Sequence, residues 1–273
     1  MLKAMRLYFK TVGAVAPPLA SWQAARLFLT PLPRRSASRW PDALAQQARH
    51  TPLTFQGQSI NAWSWGSGPR VLLVHGWGGI AAHLAALVTP LVSAGFEVLA
   101  FDGPAHGASS SKRTNLVQFS ELILQIERES PSPVRAIIGH SFGASAIIVA
   151  LKRGLKPERV VLISPFSSSD RNIESFSRTL HLSPRVTAAT RQRLLQVFAH
   201  DLHIWDLATL TKDFGQPALI LHDELDRDVP FSESQAIQSC WPGARLVGTK
   251  GLGHHLIVRD KKVASEVAQF LQS

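Results

Sequence analysis

From residue 71 onward, short and wholly apolar runs alternate with stretches in which apolar residues recur every three or four positions. Uninterrupted apolar runs predict strands buried on both faces, and the 3.6-residue spacing predicts helices that cover them. Strands are expected at 71–74, 97–101, 134–139, 160–164, 218–222 and 245–248. Helices are expected at 81–94, 116–126, 142–152, 233–239 and 261–271, the last with Val263, Val267, Phe270 and Leu271 along one side. This alternation predicts an α/β domain built on a mostly parallel sheet with helices on both faces. Right-handed crossovers then put the carboxyl ends of the strands, and any site built there, along one edge. Two shorter strands, 53–56 and 60–65, are expected to precede this region, joined by a turn at Gly57.

Two stretches depart from the rhythm. Residues 166–214 are too long for a simple crossover and read as two or three helices, for example 173–182 and 187–202, inserted above the carboxyl edge. Residues 1–50 read as a basic helical extension, with amphipathic helices at about 2–12 and 18–29, a Pro/Arg/Ser-rich link and polar helix-like residues to about 49. Pro17, Pro18, Gln23 and Arg26 interrupt its apolar positions. No run approaches the roughly 18 apolar residues of a spanning helix, and the small residues around 14–20 only weakly suggest a signal-peptide cleavage site. The expected organisation is an extension at 1–50 and one α/β domain at 51–273.

Composition narrows the class without fixing it. The hydrophobic content of 45% is that of an ordinary soluble globular protein. Cys240 is the sole cysteine, so no intramolecular disulfide can form, and no Cys/His cluster suggests zinc. Both features fit a reducing, cytoplasmic setting. The net charge of +10 is uneven: residues 1–50 hold eight cationic side chains against Asp42 alone, which is +7 of the total. With Leu2, Met5, Leu7, Tyr8 and Phe9 beside those charges, peripheral contact with an anionic membrane is one reading of the segment. A solvated basic face on packed helices is the plainer one. Nothing resembles a nucleic-acid module.

Four signals carry chemistry. Gly139-His140-Ser141-Phe142-Gly143 lies between an apolar strand and a helix of small residues, where a sharp turn projects a serine hydroxyl into a cleft. His75-Gly76-Trp77-Gly78-Gly79 follows the strand at 71–74. Its backbone N–H at Trp77, with that of Phe142, would hold the negative charge that acyl transfer builds on oxygen. An acidic loop then offers Asp223, Glu224, Asp226 and Asp228 as partners for a histidine, and spacing alone does not choose among them. Last, His254 and His255 stand in a glycine-bounded loop beyond the final strand, where a general base is needed.

Together these residues resemble the α/β-hydrolase superfamily from about residue 53 to 273, in the chain order nucleophile, acid, histidine. The resemblance places the acid at Asp226, three residues before Val229-Pro230, and the base at His254 after Gly253. It makes Phe101-Asp102-Gly103-Pro104-Ala105-His106-Gly107 a structural turn, with Ala105 where the family has glycine. It also makes His222-Asp223 a departure from His-Gly, and residues 166–214 a lid. What it implies is a serine hydrolase acting on a small-molecule acyl ester or thioester through Ser141, His254 and Asp226, with oxyanion donors at Trp77 and Phe142 and no metal or cofactor. The other readings are an inactive binding protein, or an acyltransferase, on the same fold.

Overall fold

The computed structural model describes residues 2–31, 39–198 and 206–273. The Arg/Ser-rich link and the end of the second insertion helix expected at 187–202 lie outside the described residues. The strands are β1 (Arg49–His50), β2 (Leu53–Phe55), β3 (Gln58–Ile60), β4 (Ala62–Trp65), β5 (Arg70–Val74), β6 (Glu97–Phe101), β7 (Val134–His140), β8 (Arg159–Ile163), β9 (Ala218–Asp223) and β10 (Ala244–Thr249). Eight of them form one sheet in the order β1-β4-β6-β5-β7-β8-β9-β10. β5 to β10 run parallel, while β1 and β4 complete one edge in antiparallel pairing.

The apolar runs account for this order. Val71 to Val74, Ile137 and Ile138, and Val160 to Ile163 are almost wholly inaccessible, as strands covered on both faces must be. The helices are α1 (Leu2–Val15), α2 (Pro17–Phe28), α3 (Asp42–Gln47), α4 (Ala85–Ser93), α5 (Leu116–Glu129), α6 (Phe142–Lys152), α7 (Ser169–Leu180), α8 (Pro184–Val197), α9 (Leu207–Leu210), α10 (Phe231–Cys240), α11 (Gly253–Leu256) and α12 (Lys261–Gln272). One core layer unites α5 and α6 with one face of the sheet, and a second unites α4 and α12 with the other.

Three expectations need correction. The strand expected at 60–65 divides at Asn61: β3 pairs with β2 in a small hairpin, and β4 joins the main sheet. The hairpin turn falls on Gln56 and Gly57, both with positive φ, the geometry that two-residue turns favour because it matches strand twist. The helix expected at 81–94 begins as a 3₁₀ turn at Ala81–Leu84 before α4. The polar stretch expected to be helical up to about 49 ends earlier, and Arg49 opens β1.

Helices α1 and α2 do not stand apart from the body. Phe9, Ala20 and Ala24 share an apolar cluster with Leu180 and Val186 of the insertion. Small residues on α2 let its axis approach α8 closely. Of the five apolar residues that suggested membrane contact, Phe9 is buried and Met5 packs on the same cluster, whereas Leu2, Leu7 and Tyr8 remain exposed. No helix among the described residues is long and apolar enough to cross a membrane.

The insertion is also tied to the body. Buried Glu233 accepts hydrogen bonds from the Ser167 N–H (2.7 Å) and hydroxyl (2.5 Å), and pairs with Arg171. Arg191 grips Asp170 through two nitrogens at 2.7 and 3.0 Å. These arginines are therefore occupied in holding helices together. Phe9→Ala is expected to weaken docking of α1 and α2 by about 3 kcal/mol and to raise amide exchange across 2–28 and 184–197 while β5 and β7 stay protected. Equal acceleration in those strands would count against this packing.

Candidate active site

Ser141 occupies a sharp turn between the end of β7 and the start of α6, at φ 51° and ψ −118°. Such a backbone is costly for a residue with a Cβ and persists only where its surroundings enforce it. The flanking glycines show how. A Cβ on Gly139 would lie 2.6 Å from the Ala144 nitrogen, and one on Gly143 would lie 2.4 Å from the Val74 carbonyl oxygen. Only glycine lets α6 start so close to β5 and β7.

The acid and the histidine arrive from the next strands along the edge. Asp226 follows β9, and His254 opens α11 after β10. His254 Nδ1 is 2.7 Å from Asp226 Oδ2, and its Nε2 is 2.9 Å from Ser141 Oγ. An ionised carboxylate only accepts hydrogen bonds, so Nδ1 carries the proton and Nε2 accepts from the serine hydroxyl. The Asp226 side chain is fully buried and that of His254 nearly so.

Burial alone would favour a neutral Asp226, but hydrogen bonds from His222, His254 and the Val229 N–H outweigh it and hold the carboxyl far below the usual range. The donors are the His222 and His254 rings at Oδ2 and the Asp228 and Val229 N–H groups at Oδ1. The competing acids are engaged elsewhere. Glu224 pairs with Lys250 at 3.2 Å, and Asp228 with His255 at 3.0 Å.

Other buried histidines frame this set. His222 Nε2 faces both the Val229 carbonyl (3.0 Å) and Asp226, so it carries the proton, while its Nδ1 accepts from the Ser234 hydroxyl at 2.6 Å. His140 Nε2 donates to the His254 backbone carbonyl at 2.9 Å, and its ring packs 4.8 Å from that of His254. Burial holds His140 well below the ordinary imidazole range, so it stays neutral. Neither His140 nor His222 carries a local sequence signal of this placement, because each is one of eleven histidines in the chain.

The loop after β5 is fixed from beneath. The His106 ring accepts from the Gly78 N–H at 3.0 Å and donates to the Pro104 carbonyl at 2.9 Å. His75 accepts from the Gly103 N–H and donates to the Gly76 carbonyl. Each can accept a backbone proton only while neutral, and burial pushes His75 down to about 4 and His106 to about 3. Trp77 sits in the loop they hold, its ring 4.9 Å from that of Phe142. Phe142 is the first residue of α6, so its N–H has no acceptor within the helix.

Two cavities meet at this point. One of about 500 Å³ is lined by Ser141, Trp77 and Phe142 and otherwise mainly by apolar side chains. The other, of about 330 Å³, is lined by Ser141, Trp77 and His254 together with His83, Asp228, His255 and Arg259. Asp228, His254 and His255 also bring ligand-type atoms within 4.8 Å of one another. Both ring nitrogens of His254 are already engaged by Ser141 and Asp226, so a cation there would have to break that chain.

The sequence profile of the alpha/beta hydrolase family matches residues 71–266. The chain belongs to the alpha/beta hydrolase family. Protein ABHD12B of Homo sapiens is 26% identical over 233 residues, covering 74% of this chain, and the chain spans 60% of that relative's length. Among solved structures, an esterase of Pyrococcus furiosus, Pf2001, superposes with a TM-score of 0.67 at 22% identity, covering 88% of this chain and 98% of its own. A thioesterase domain from the curacin biosynthetic pathway gives 0.59 at 20% identity, covering 83% and 99%. Est1E of Butyrivibrio proteoclasticus, with ferulic acid bound, gives 0.61 at 18%, covering 81% and 98%. These structures share the fold.

The two departures from the α/β-hydrolase pattern have physical accounts. Ala105 adopts φ 64°, a left-handed conformation that costs a non-glycine residue about 1 kcal/mol. The turn it belongs to is held by buried Asp102, which accepts from the Ala81 and Ala108 N–H groups at 2.8 and 3.0 Å. Asp223 stands where the hydrolase pattern has glycine, and it ties the acid loop to the histidine loop. Its side chain accepts from the Leu225 N–H (3.0 Å), the Thr249 hydroxyl (2.9 Å) and the Leu252 N–H (2.9 Å), two residues before His254.

Burial raises the Asp223 carboxyl, but these hydrogen bonds overcome that effect and bring it below its usual value. A carboxyl lowered on folding stabilises the protein above its unfolded pKa of about 3.9, and the contribution is lost as the pH falls through the folded value. The stability gap between wild type and Asp223→Asn is therefore expected to be full at neutral pH and to narrow below about pH 4. A gap that widens on acidification in urea titrations would contradict this assignment.

Proposed function

We propose that this α/β-hydrolase cleaves a carboxylic ester by two-step acyl transfer on Ser141, with thioesters as the next class. The observation that carries the reading is the single imidazole of His254 bridging the Ser141 hydroxyl and the Asp226 carboxylate at hydrogen-bond distance. His254 Nε2 takes the serine proton as Oγ attacks the carbonyl carbon. The Trp77 and Phe142 N–H groups hold the oxygen that becomes negative. Asp226 stabilises the imidazolium and keeps its tautomer.

The tetrahedral intermediate then collapses. The bond to the leaving alcohol or thiol breaks, and that group takes the proton from His254. Water repeats the sequence in the second step: His254 accepts its proton, the hydroxide attacks the acyl carbon, and Ser141 leaves with its proton restored. The two cavities fit the two halves of such a substrate. The apolar cavity takes the acyl group, and the polar one takes the leaving group. Helices α7 and α8 of the insertion act as the lid over the acyl side.

Ser141→Ala is expected to lower kcat for p-nitrophenyl butyrate by about 10⁶-fold, and Asp226→Asn by about 10⁴-fold, with circular dichroism unchanged. Turnover retained within tenfold in Ser141→Ala would remove that serine from the mechanism. A wild-type protein silent on both esters and thioesters would favour a binding protein on this fold.

A further inference from the structure

The cavity beside Ser141 is bounded on one side by a part of the chain that lies outside both the region matched to the family and the insertion. Leu2 and Met5 of α1 and Leu27 and Phe28 of α2 line it together with Phe142 and with Phe176 of α7. These helices are held in place by contacts with specific geometry. The Phe28 and Phe176 rings meet edge to face at 5.3 Å. Arg6 donates to the Thr179 carbonyl at 2.8 Å, and Arg193 of α8 donates to the Ser21 hydroxyl at 3.0 Å. Gly13 brings α1 against Val186, where a Cβ would lie 3.4 Å from a valine methyl.

The lining has a definite chemistry. None of the described residues around this cavity is charged, although α1 and α2 carry Lys3, Arg6, Lys10 and Arg26. None of these four side chains lines the cavity: Arg6 donates to the Thr179 carbonyl of α7 and Arg26 lies over the Trp22 ring. An ionised acyl group would enter without a counter-charge and lose its hydration, which is costly. An uncharged hydrocarbon chain has no such hydration to give up and gains by leaving water.

We propose that the α1–α2 hairpin is the outer wall of the acyl chamber. Met5 and Phe28 set the length of chain that it accepts, so the preferred substrates are esters of uncharged, apolar acyl groups. This inference rests on the acyl-enzyme reading of Ser141. Met5 is unbranched and adaptable, and replacing it by a larger ring shortens the chamber. Phe28 is a large side chain whose removal lengthens it.

The test is a series of p-nitrophenyl esters from acetyl to dodecanoyl, read as the ratio of kcat/KM for long over short chains. Met5→Trp is expected to lower the dodecanoyl-to-acetyl ratio by on the order of tenfold, and Phe28→Ala to raise it. General damage to the fold cannot move the ratio in opposite directions in two variants. Identical profiles in wild type and both variants, or a parallel loss at every length, would overturn the proposal.

A binding arm separates this failure from failure of the hydrolase reading. Methyl decanoate binding to Ser141→Ala, followed by tryptophan fluorescence, is expected to weaken when Met5→Trp is added. If no ester is turned over by wild type yet this weakening is seen, the chamber stands and the hydrolase reading falls. If esters are turned over and neither profile nor binding responds to Met5 and Phe28, the hydrolase stands and the chamber wall falls.

Discussion

The site depends on one buried negative charge. The Asp226 carboxylate is out of water, where an unpaired charge would cost several kcal/mol. It remains ionised because two imidazole rings and two backbone N–H groups donate to it. That saturation fixes the proton of His254 on Nδ1, which leaves Nε2 as an acceptor aimed at Ser141. Take away the carboxylate and the imidazole has no reason to choose that tautomer or that orientation. The strained serine turn, the glycines that permit it and helix α11 bring two side chains, Ser141 and His254, into line with this charge.

Neutral histidines do much of the positioning around it. His75 and His106 tie the loop after β5 to the turn after β6 by accepting backbone protons, and His140 holds the carbonyl of His254 itself. Burial keeps all three uncharged. A buried imidazole is well suited to this because it joins a donor and an acceptor across a fixed ring width, with no charge to compensate. Asp223 does the same work with a charge, linking the two loops that carry the acid and the base.

Much of the frame was legible in the chain. Wholly apolar runs located the parallel strands because a strand covered on both faces has no polar face to show. The turn of residues 139–143 was readable because the close approach of α6 to β5 tolerates no side chain at Gly143. Local pattern could not choose between Asp223 and Asp226. Both are acidic, they stand three residues apart at the end of β9 and both side chains end up buried; only their direction differs, Asp226 towards His254 and Asp223 towards Thr249 and Leu252. The union of α1 and α2 with α7 and α8 was out of reach for a related reason. Periodicity reports that a helix has an apolar face, not which distant helix covers it. Ala20, Ser21, Ala24 and Ala25, all buried, were the one local hint of a close helix contact.

Activation of Ser141 by His254 in the folded protein is the proposal on which the hydrolase reading rests. A fluorophosphonate that reacts with activated serines, followed by peptide mass spectrometry, tests it most directly. One adduct is expected, on the peptide containing Ser141, and it should be lost in His254→Ala. Modification of a different serine, or undiminished labelling of Ser141 without His254, would contradict it.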